Sequence, residues 1–404
     1  MTAIATGVFK QLIAKKQSGL GVKATTGSAQ LYRRVSSSLD LKKATYKSNE
    51  IRPSQQRSDF RHGVRSVDGT IAGELSVGTY QQFQEAVLRA AATAVSAYAA
   101  GVDVTASASA PQFNDASGGF LTAGLRIGMI GRWTGFAGGG AANNDKNFLI
   151  TGLTASDMTG VFLDGSAVVA DAAGDSVTFT PVGKYIAIPT SGHTRDYFTI
   201  EHNFADITQS EQFKDCVISG MDVKLPATGM ATVDFPVMGL DMDVSTSGYF
   251  VSPTAASTGG ILASVNGAVY IAGVAVGLIT ALDFSVKGNN TAPGGVVGSN
   301  VDPDIFPGVI DVTGNMTVLF ADATMRDYFL NETEVAVIAA FTTDETGTAG
   351  FQSHVFPRVK LGGASKDDGE TGLKMTVPFT AIENVSPATG TIATTYWMQD
   401  SNFV

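Results

Sequence analysis

Cysteine is almost absent from this chain. Its single residue, Cys216, excludes a disulfide framework within the chain and any zinc site built on thiolates. Histidine is scarce as well. His62, His193, His202 and His354 stand far apart, and none has a neighbour at metal-ligand spacing. Charged residues make up 16% of the sequence, below the usual ~25%, which disfavours long solvated helices, coiled coils and intrinsic disorder. Catalytic patterns are missing too: no Gly-x-Ser-x-Gly elbow, no Walker loop, no His-Glu-x-x-His and no dinucleotide fingerprint. Asp241-Met242-Asp243-Val244-Ser245 opens like a calcium loop, but Thr246 stands where the turn glycine belongs and Ser252 where the bidentate glutamate belongs. Asp367-Asp368 lies in a Gly-rich turn and reads as solvated charge. His193, Arg195 and Asp196 are the first place to seek an enzymatic cleft, and they read better as a polar turn before a strand. The expectation is a non-enzyme with no cofactor and no metal.

What is plentiful is glycine, with 46 among 404 residues, above the usual ~7%, together with Ala, Thr, Ser and Val. This mixture suits many short strands joined by tight turns. The length predicts two or three domains at about 150 residues each. No secretory signal is read at the start, where the lysines fall inside the apolar pattern. Ile261 to Thr280 is uncharged and of membrane-spanning length, but Asn266-Gly267 and Gly273 divide it, so a hairpin is expected and a soluble, cytosolic origin with it.

Charge is unevenly spread. Residues 1–65 hold 13 Lys/Arg and 3 Asp/Glu, leaving 14 and 34 for the rest. This predicts a basic N-terminal arm over residues 1–30, continued by Arg33 and Arg34, on an acidic body. Its cations are Lys10, Lys15, Lys16, Lys23, Arg33 and Arg34. Three uses are open: docking on the acidic body of the next subunit, which is favoured, a solvated arm, or nucleic-acid binding, which the acidic body opposes.

Along the chain, Thr6–Lys16 reads as an amphipathic helix capped by Thr6, with Val8, Leu12 and Ile13 on one face. Leu39–Lys47 reads as a strand and Ser48–Gly63 as a long polar loop. Val67–Val77 alternates with period two. A helix capped by Thr79, with Gln82 at the capping-box position, is expected to stack Phe83, Val87 and Ala91 on that strand. A small inserted β module is expected over about 111–190, where the glycines at 138–140 read as a flexible turn. Strands resume at Tyr197–Phe204, Cys216–Leu225 and Ala231–Gly239, and a second series runs from about Gly267 to Asn384.

Two blocks repeat. A shift of 245 residues superimposes Val67 on Val312, Ile71 on Met316, Leu75 on Phe320 and Phe83 on Tyr328, with Asp322 as the second helix cap. Val223-Lys224-Leu225 and Val359-Lys360-Leu361 each precede a turn and an alternating strand with a central proline, Pro236 or Pro378. Proline there suggests an edge or a bulge. The reading is mainly β: two copies of one β domain, 31–245 and 260–395, each with a flanking helix, plus the inserted module.

The run from Ser48-Asn49-Glu50-Ile51 through Asp59-Phe60-Arg61-His62-Gly63 to Val67-x-Gly69-x-Ile71-x-Gly73-Glu74-Leu75 resembles the tail tube proteins of long, non-contractile-tailed bacteriophages. The stretch from Tyr197 to Leu225 is similar to the family's second hallmark. The resemblance implies a β-sandwich with a helix, stacked as rings into a hollow tube. A duplicated chain would form the sixfold ring from three subunits. It implies a negatively charged lumen through which DNA slides without specific binding, and Glu50, Arg52, Arg57, Asp59 and Arg61 as inter-ring contacts. It places the module on the outer surface. Implied partners are further copies of the chain and tape-measure, tail-terminator and distal-tail proteins, with no membrane insertion. The implied location is the virion tail, assembled in the bacterial host cytoplasm. The competing reading is a β-sandwich adhesion or receptor-binding protein of a virion or cell surface, with the module as binding element. A discrete oligomer with saturable ligand binding would favour it.

Overall fold

The computed structural model describes residues 4–109, 112–368 and 372–404. The first three residues of the expected arm and the Pro111 start of the expected module lie outside the described residues. The first repeat opens with β1 (Lys10–Lys16), β2 (Gln30–Tyr32) and β3 (Ser36–Ser37), then β4 (Asp40–Lys47), β5 (Phe60–Glu74) and α1 (Gln81–Leu88). Seven strands of a separate sheet follow: β6 (Tyr98–Gly101), β7 (Val104–Ser107), β8 (Gln112–Asp115), β9 (Ile130–Thr134), β10 (Phe148–Leu153), β11 (Asp157–Phe162) and β12 (Val177–Pro181). The chain returns through β13 (Lys184–Ala187), β14 (Phe198–Phe204), β15 (Gln209–Ile218), β16 (Gly220–Pro226), β17 (Thr232–Gly239) and β18 (Asp241–Ser245). The second repeat holds β19 (Gly267–Ile271), β20 (Val274–Ala275), β21 (Ile279–Lys287), β22 (Asp311–Leu319), α2 (Thr324–Leu330), β23 (Val335–Thr342), β24 (Phe351–Leu361), β25 (Ser365–Lys366), β26 (Lys374–Ala381) and β27 (Trp397–Asp400).

The duplication is visible in strand register. On β5 and β17, Val67 faces Gly239, Thr70 faces Pro236 and Ile71 faces Phe235. On β22 and β26, Val312 faces Ala381, Asn315 faces Pro378 and Met316 faces Val377. The two prolines therefore sit at one structural position. They are on interior strands rather than edges, opposite a break in the neighbouring strand. Ser219 and Gly362 donate to the carbonyls of Pro236 and Pro378, each at 2.7 Å. The ladder is already interrupted there, so the missing N–H of proline costs little. The Val-Lys-Leu match is corrected by the same registers. Val359 faces Ala381, whereas Val223 faces Val233, at the other end of the equivalent strand. Val359-Lys360-Leu361 corresponds to Cys216-Val217-Ile218, the last residues of β15 before its break.

Each repeat is a sandwich. In the first, β2–β1–β14–β15–β18 covers β4–β5–β17–β16. In the second, β20–β19–β23–β24 covers β21–β22–β26. The repeats are joined edge to edge. β16 pairs with β21 from Gly220 opposite Lys287 to Pro226 opposite Ala281, so one sheet runs from β4 through to β26. A single apolar cluster follows it, from Leu12 to Phe403.

The expected helix at Thr6–Lys16 is instead a 3-10 turn at Gly7–Phe9 followed by β1. Leu12 and Ile13 are each 1% exposed. Consecutive residues of a strand point to opposite faces, and both faces of β1 are covered. Leu12 enters the main core, while Ile13 packs with Ala24, Ala29 and Phe250. α1 begins at Gln81 with Tyr80 at the N-cap and no side-chain cap; Thr79, the expected cap, stands one residue earlier, where its hydroxyl accepts from Ser76 Oγ at 2.7 Å. It stops at Leu88, short of the expected end. Arg89 is left-handed (φ 55°) and donates to the carbonyls of Gly288 and Gly308, both at 2.8 Å. Ala91 is consequently outside the helix and exposed. Phe83 and Val87 do pack on the sheet; Phe83 stacks on Tyr32 at 4.4 Å and meets Phe198 and Phe235 edge-on. In the second repeat Asp322, the expected cap, stands one residue before the N-cap position, which Ala323 holds without a side-chain cap; its carboxylate accepts from the Thr324 N–H at 2.8 Å.

β5 begins at Phe60, so the last residues of the expected Ser48–Gly63 loop are strand, paired with β4. The expected Ile261–Thr280 hairpin turns at Ala272 (φ 51°) and Gly273 (φ 78°), values that match a tight type I′ turn. Among the described residues no helix is long and apolar enough to cross a membrane.

The module's sheet, in the order β6–β12–β9–β10–β11–β8–β7, spans Tyr98–Pro181. It starts before and ends short of the expected 111–190, because β6 closes one edge and β13 already belongs to the main body, paired with β27. Trp133, Phe113, Phe148 and Phe179 form its core, which also contains Ile338, Phe351, Val355 and Trp397 of the second repeat. Gln399 clamps the junction. It accepts from the Ile130 N–H at 2.8 Å and donates to the carbonyls of Ile130 and Val182 at 2.8 and 2.7 Å.

Phe83→Ala is expected to cost about 3–5 kcal/mol, as for other buried aromatics, read from the shift of the urea unfolding midpoint. Two buried groups predict opposing pH effects. Burial lowers the His354 pKa to about 3, so the unfolded chain takes up this proton first, and stability falls as pH drops below the ordinary 6.5. The expected loss is about 2 kcal/mol between pH 7 and 5. Burial raises the Asp400 pKa to about 6, so its contribution is full below the ordinary carboxylate range and is lost as pH rises through about 6. His354→Gln should flatten the first slope and Asp400→Asn the second, measured by denaturation across pH 3–8.

Candidate assembly surfaces

Three surfaces carry the residues that the sequence singles out, and a fourth is the solvent face of the continuous sheet. The first is the tip of the β4–β5 hairpin. Glu50 and Arg52 pair at 2.9 Å, Asp59 and Arg61 at 3.0 Å, and Arg57 donates to the Ser48 carbonyl at 3.2 Å. All five side chains are exposed, and Ile51 between them is 100% exposed. Exposed pairs of this kind contribute little to stability. They form a compact tip of alternating charge with an apolar residue at its summit.

The second repeat's counterpart, residues 288–310, is built differently. It folds back onto the first repeat, where Arg65 N donates to the Asn300 carbonyl at 2.8 Å. Asp304 accepts from Arg195 and from Tyr197 OH, each at 2.7 Å. Arg195 is thus committed to an ion pair, and Asp196 binds Lys16 at 2.6 Å. His193, Arg195 and Asp196 do not converge on a catalytic constellation. Among the described residues no His/Cys/Asp/Glu group could hold a metal ion. Asp241 and Asp243 of the calcium-like run are paired with Lys214 and, respectively, Arg65 and Lys23. Cys216 is fully buried on β15, and burial raises its thiol pKa well above the ordinary range.

The third surface is the expected basic arm. All six cations are turned onto their own chain. Lys16 and Lys23 pair with Asp196 and Asp243. Lys10 donates to the Ser37 carbonyl at 3.0 Å, and Lys15 to Thr25 Oγ1 at 2.6 Å. Arg33 donates to the Gly259 carbonyl at 2.9 Å, and Arg34 to that of Gly7 at 3.1 Å. The segment carrying the first four is an integral part of the first sandwich, with β1 laid along the full length of β14.

The fourth surface is the solvent face of the continuous sheet. Asp68, Glu74, Asp222, Asp234, Asp283 and Asp311 alternate along it with the buried residues of the same strands. Lys42 and Lys224 bridge to two of these carboxylates, Asp68 and Asp234, at 3.3 and 3.8 Å. The sheet ends at β3 and β4 on one side and at β25 on the other. These two edges hold, in their own repeats, the positions that β21 and β16 hold where the repeats join.

A family model described as phage tail tube protein matches residues 10–381, nearly the whole chain and both repeats. The chain belongs to the phage tail tube protein family. No curated protein matches it. Membership identifies a structural subunit of the virion tail that assembles into a tube with other tail proteins.

Because β1 is a sheet strand in this tail tube protein, Leu12→Ala is expected to destabilise the isolated chain by about 2–5 kcal/mol, as for a core leucine. An unchanged urea midpoint would show instead that the segment is a detachable arm.

Proposed function

We propose that three copies of this chain close a ring with the local geometry of six repeats, and that stacked rings form the DNA-conducting tube of a long, non-contractile tail. The observation that carries this reading is the β16–β21 ladder. It already joins a first repeat to a second by main-chain hydrogen bonds, and the two free edges are the same pair of edges. Joining β25 of one subunit to β3 and β4 of the next repeats the step, and the contact is heterologous, so it closes a ring when the rotation permits. Edge pairing of this kind also removes the exposed strand edges of the single chain.

In such a ring the solvent face of the continuous sheet lines the lumen. Its carboxylates repel the phosphates of passing DNA, which favours transit over binding. The hairpin tip, with Glu50, Arg52, Arg57, Asp59 and Arg61, then contacts the adjacent ring. There the local ion pairs exchange for pairs across the interface, and Ile51 is buried. The module, packed on the sheet of β23 and β24 opposite the lumen face, lies on the outside. Tape-measure, tail-terminator and distal-tail proteins are the further partners, and assembly takes place in the bacterial host cytoplasm.

Negative-stain electron microscopy of the purified chain, with mass measurement on the soluble fraction, tests this. Hollow tubes of uniform diameter with three chains per layer are expected. A discrete particle that never polymerises on concentration would overturn the reading. Replacing Arg52, Arg57 and Arg61 together by alanine is expected to leave the unfolding midpoint of the chain unchanged while shortening the tubes to rings or short stacks, counted on the same grids.

A further inference from the structure

The pseudo-symmetry of the chain has a gap, and the chain itself holds the segment that fits it. The link between the repeats enters β19 through a 3-10 turn, Ser264–Asn266, preceded by extended Ala263 (φ −125°, ψ 138°). β1 is entered in the same way, through Gly7–Phe9, preceded by extended Thr6 (φ −112°, ψ 130°). In both, the first strand residue donates its N–H back to the first carbonyl of the turn, Gly267 to Ser264 and Lys10 to Gly7. β1 lies along β14 as β19 lies along β23. Ile4, Ala5 and Thr6 are therefore the counterparts of Ile261, Leu262 and Ala263.

Those later residues have a defined seat, and it is on the first repeat rather than on the one they enter. Leu262 N donates to the Leu75 carbonyl at 2.9 Å, Ala231 N to the Leu262 carbonyl at 3.0 Å, and Val77 N to the Gly260 carbonyl at 3.1 Å. Ile261 stands opposite Ser76, and Ala263 opposite Met230. Leu262, Leu75 and Ala231 are all fully buried as a result.

The second repeat has the same seat. Phe320 N donates to the Leu373 carbonyl at 2.9 Å, as Leu75 N donates to that of Ala231 at 2.8 Å. Among the described residues no main chain bridges the Phe320 carbonyl and the Leu373 N–H; on the side-chain face Lys366 Nζ lies 3.6 Å from the centre of the Phe320 ring. Leu373 is 38% exposed, and Ala321 and Asp322 are exposed as well. Phe320, Ala321 and Asp322 border an apolar cavity of about 480 Å³ whose walls include Val276, Met325 and Tyr328. Ile4 meanwhile is 87% exposed in its own chain.

We infer that Ile4–Thr6 of one subunit docks across Phe320 and Leu373 of its neighbour, as an added strand that completes the neighbour's second repeat. The occupant is a second copy of this chain. The inference rests on the head-to-tail ring proposed above, because stepping from a second repeat to the next subunit's first repeat brings that subunit's β1 beside this seat. The main chain of Ala5 supplies the N–H and carbonyl that Leu262 supplies within the chain. Ile4 comes opposite Ala321, and Thr6 opposite Gly372. The seat recognises extended main chain with a small apolar side chain, which is the β-addition mode of binding.

The test is a disulfide between chains. Ile4→Cys and Ala321→Cys occupy opposed positions, where Cβ atoms come within bridging reach. Oxidation of assembled polymer should convert monomer into covalent dimers and trimers on denaturing gels, while either single variant stays monomeric. The native Cys216 is fully buried and does not compete. Ile4→Asp should leave the unfolding of the isolated chain unchanged and raise the concentration needed for polymer by roughly ten-fold or more, equivalent to losing about 1.4 kcal/mol per contact. Tubes that form normally with the double variant yet yield no cross-link overturn the docking and leave the tube reading intact. Failure of the wild-type chain to polymerise under any condition overturns both.

Discussion

The ladder between β16 and β21 is the contact on which the remaining architecture depends. It spans seven residue pairs and turns two small sandwiches into one sheet with one core. An exposed strand edge is an open row of donors and acceptors, and this ladder satisfies two such edges at once. It also fixes which edges remain. Because the repeats share a register, the free edges at β4 and β25 occupy, in their own repeats, the positions that β21 and β16 hold at the junction.

The same junction decides where the insertion packs. The module leaves the chain within the first repeat, yet its aromatic core closes over Phe351, Val355 and Trp397 of the second. Gln399 and Asn147 secure it through main-chain carbonyls, the latter by donating to Ala349 O at 2.8 Å. Buried polar groups of this kind are costly unless fully paired, so they tie the module to one position rather than to many. Arg89 has a related role at the other side. By turning left-handed it ends α1 and reaches the carbonyls of Gly288 and Gly308, so the first repeat's helix holds the root of the second repeat's long loop.

Electrostatics follow contact rather than sequence. The basic and acidic halves of the chain look like opposed regions when charge is counted along it. In space Lys16 lies beside Asp196, Lys23 beside Asp243, and Arg65 beside Asp241. On the solvent face of the continuous sheet, carboxylates are interspersed with Lys42, Lys224, Lys287 and Lys374, while at the β4–β5 tip Glu50 and Asp59 are paired with Arg52 and Arg61.

The alternation from Val67 onward, a helix through Phe83 and Val87, and the 245-residue repeat were all legible, because strand parity and helix spacing are local properties that neighbouring side chains reveal; the two side-chain caps read at Thr79 and Asp322 were not realised. The hairpin at Ala272-Gly273 was legible for the same reason. The N-terminal strand was not. Val8, Leu12 and Ile13 fit a helical face, and only the cover supplied by Ala24, Ala29 and Phe250 explains why adjacent residues of a strand are both buried. The end of α1 was hidden too, since an alanine-rich run favours helix and the carbonyls that draw Arg89 away lie about two hundred residues later. The Val-Lys-Leu match failed because three residues cannot specify register once the connecting loops differ in length. Sequence by itself determined the β class, the duplication and the family, since these are written in periodicity and in residues close together. Only the tertiary structure decided the edge pairing of the repeats, the seating of β1 and the place of the module, because each depends on main-chain groups and surfaces brought together from distant parts of the chain.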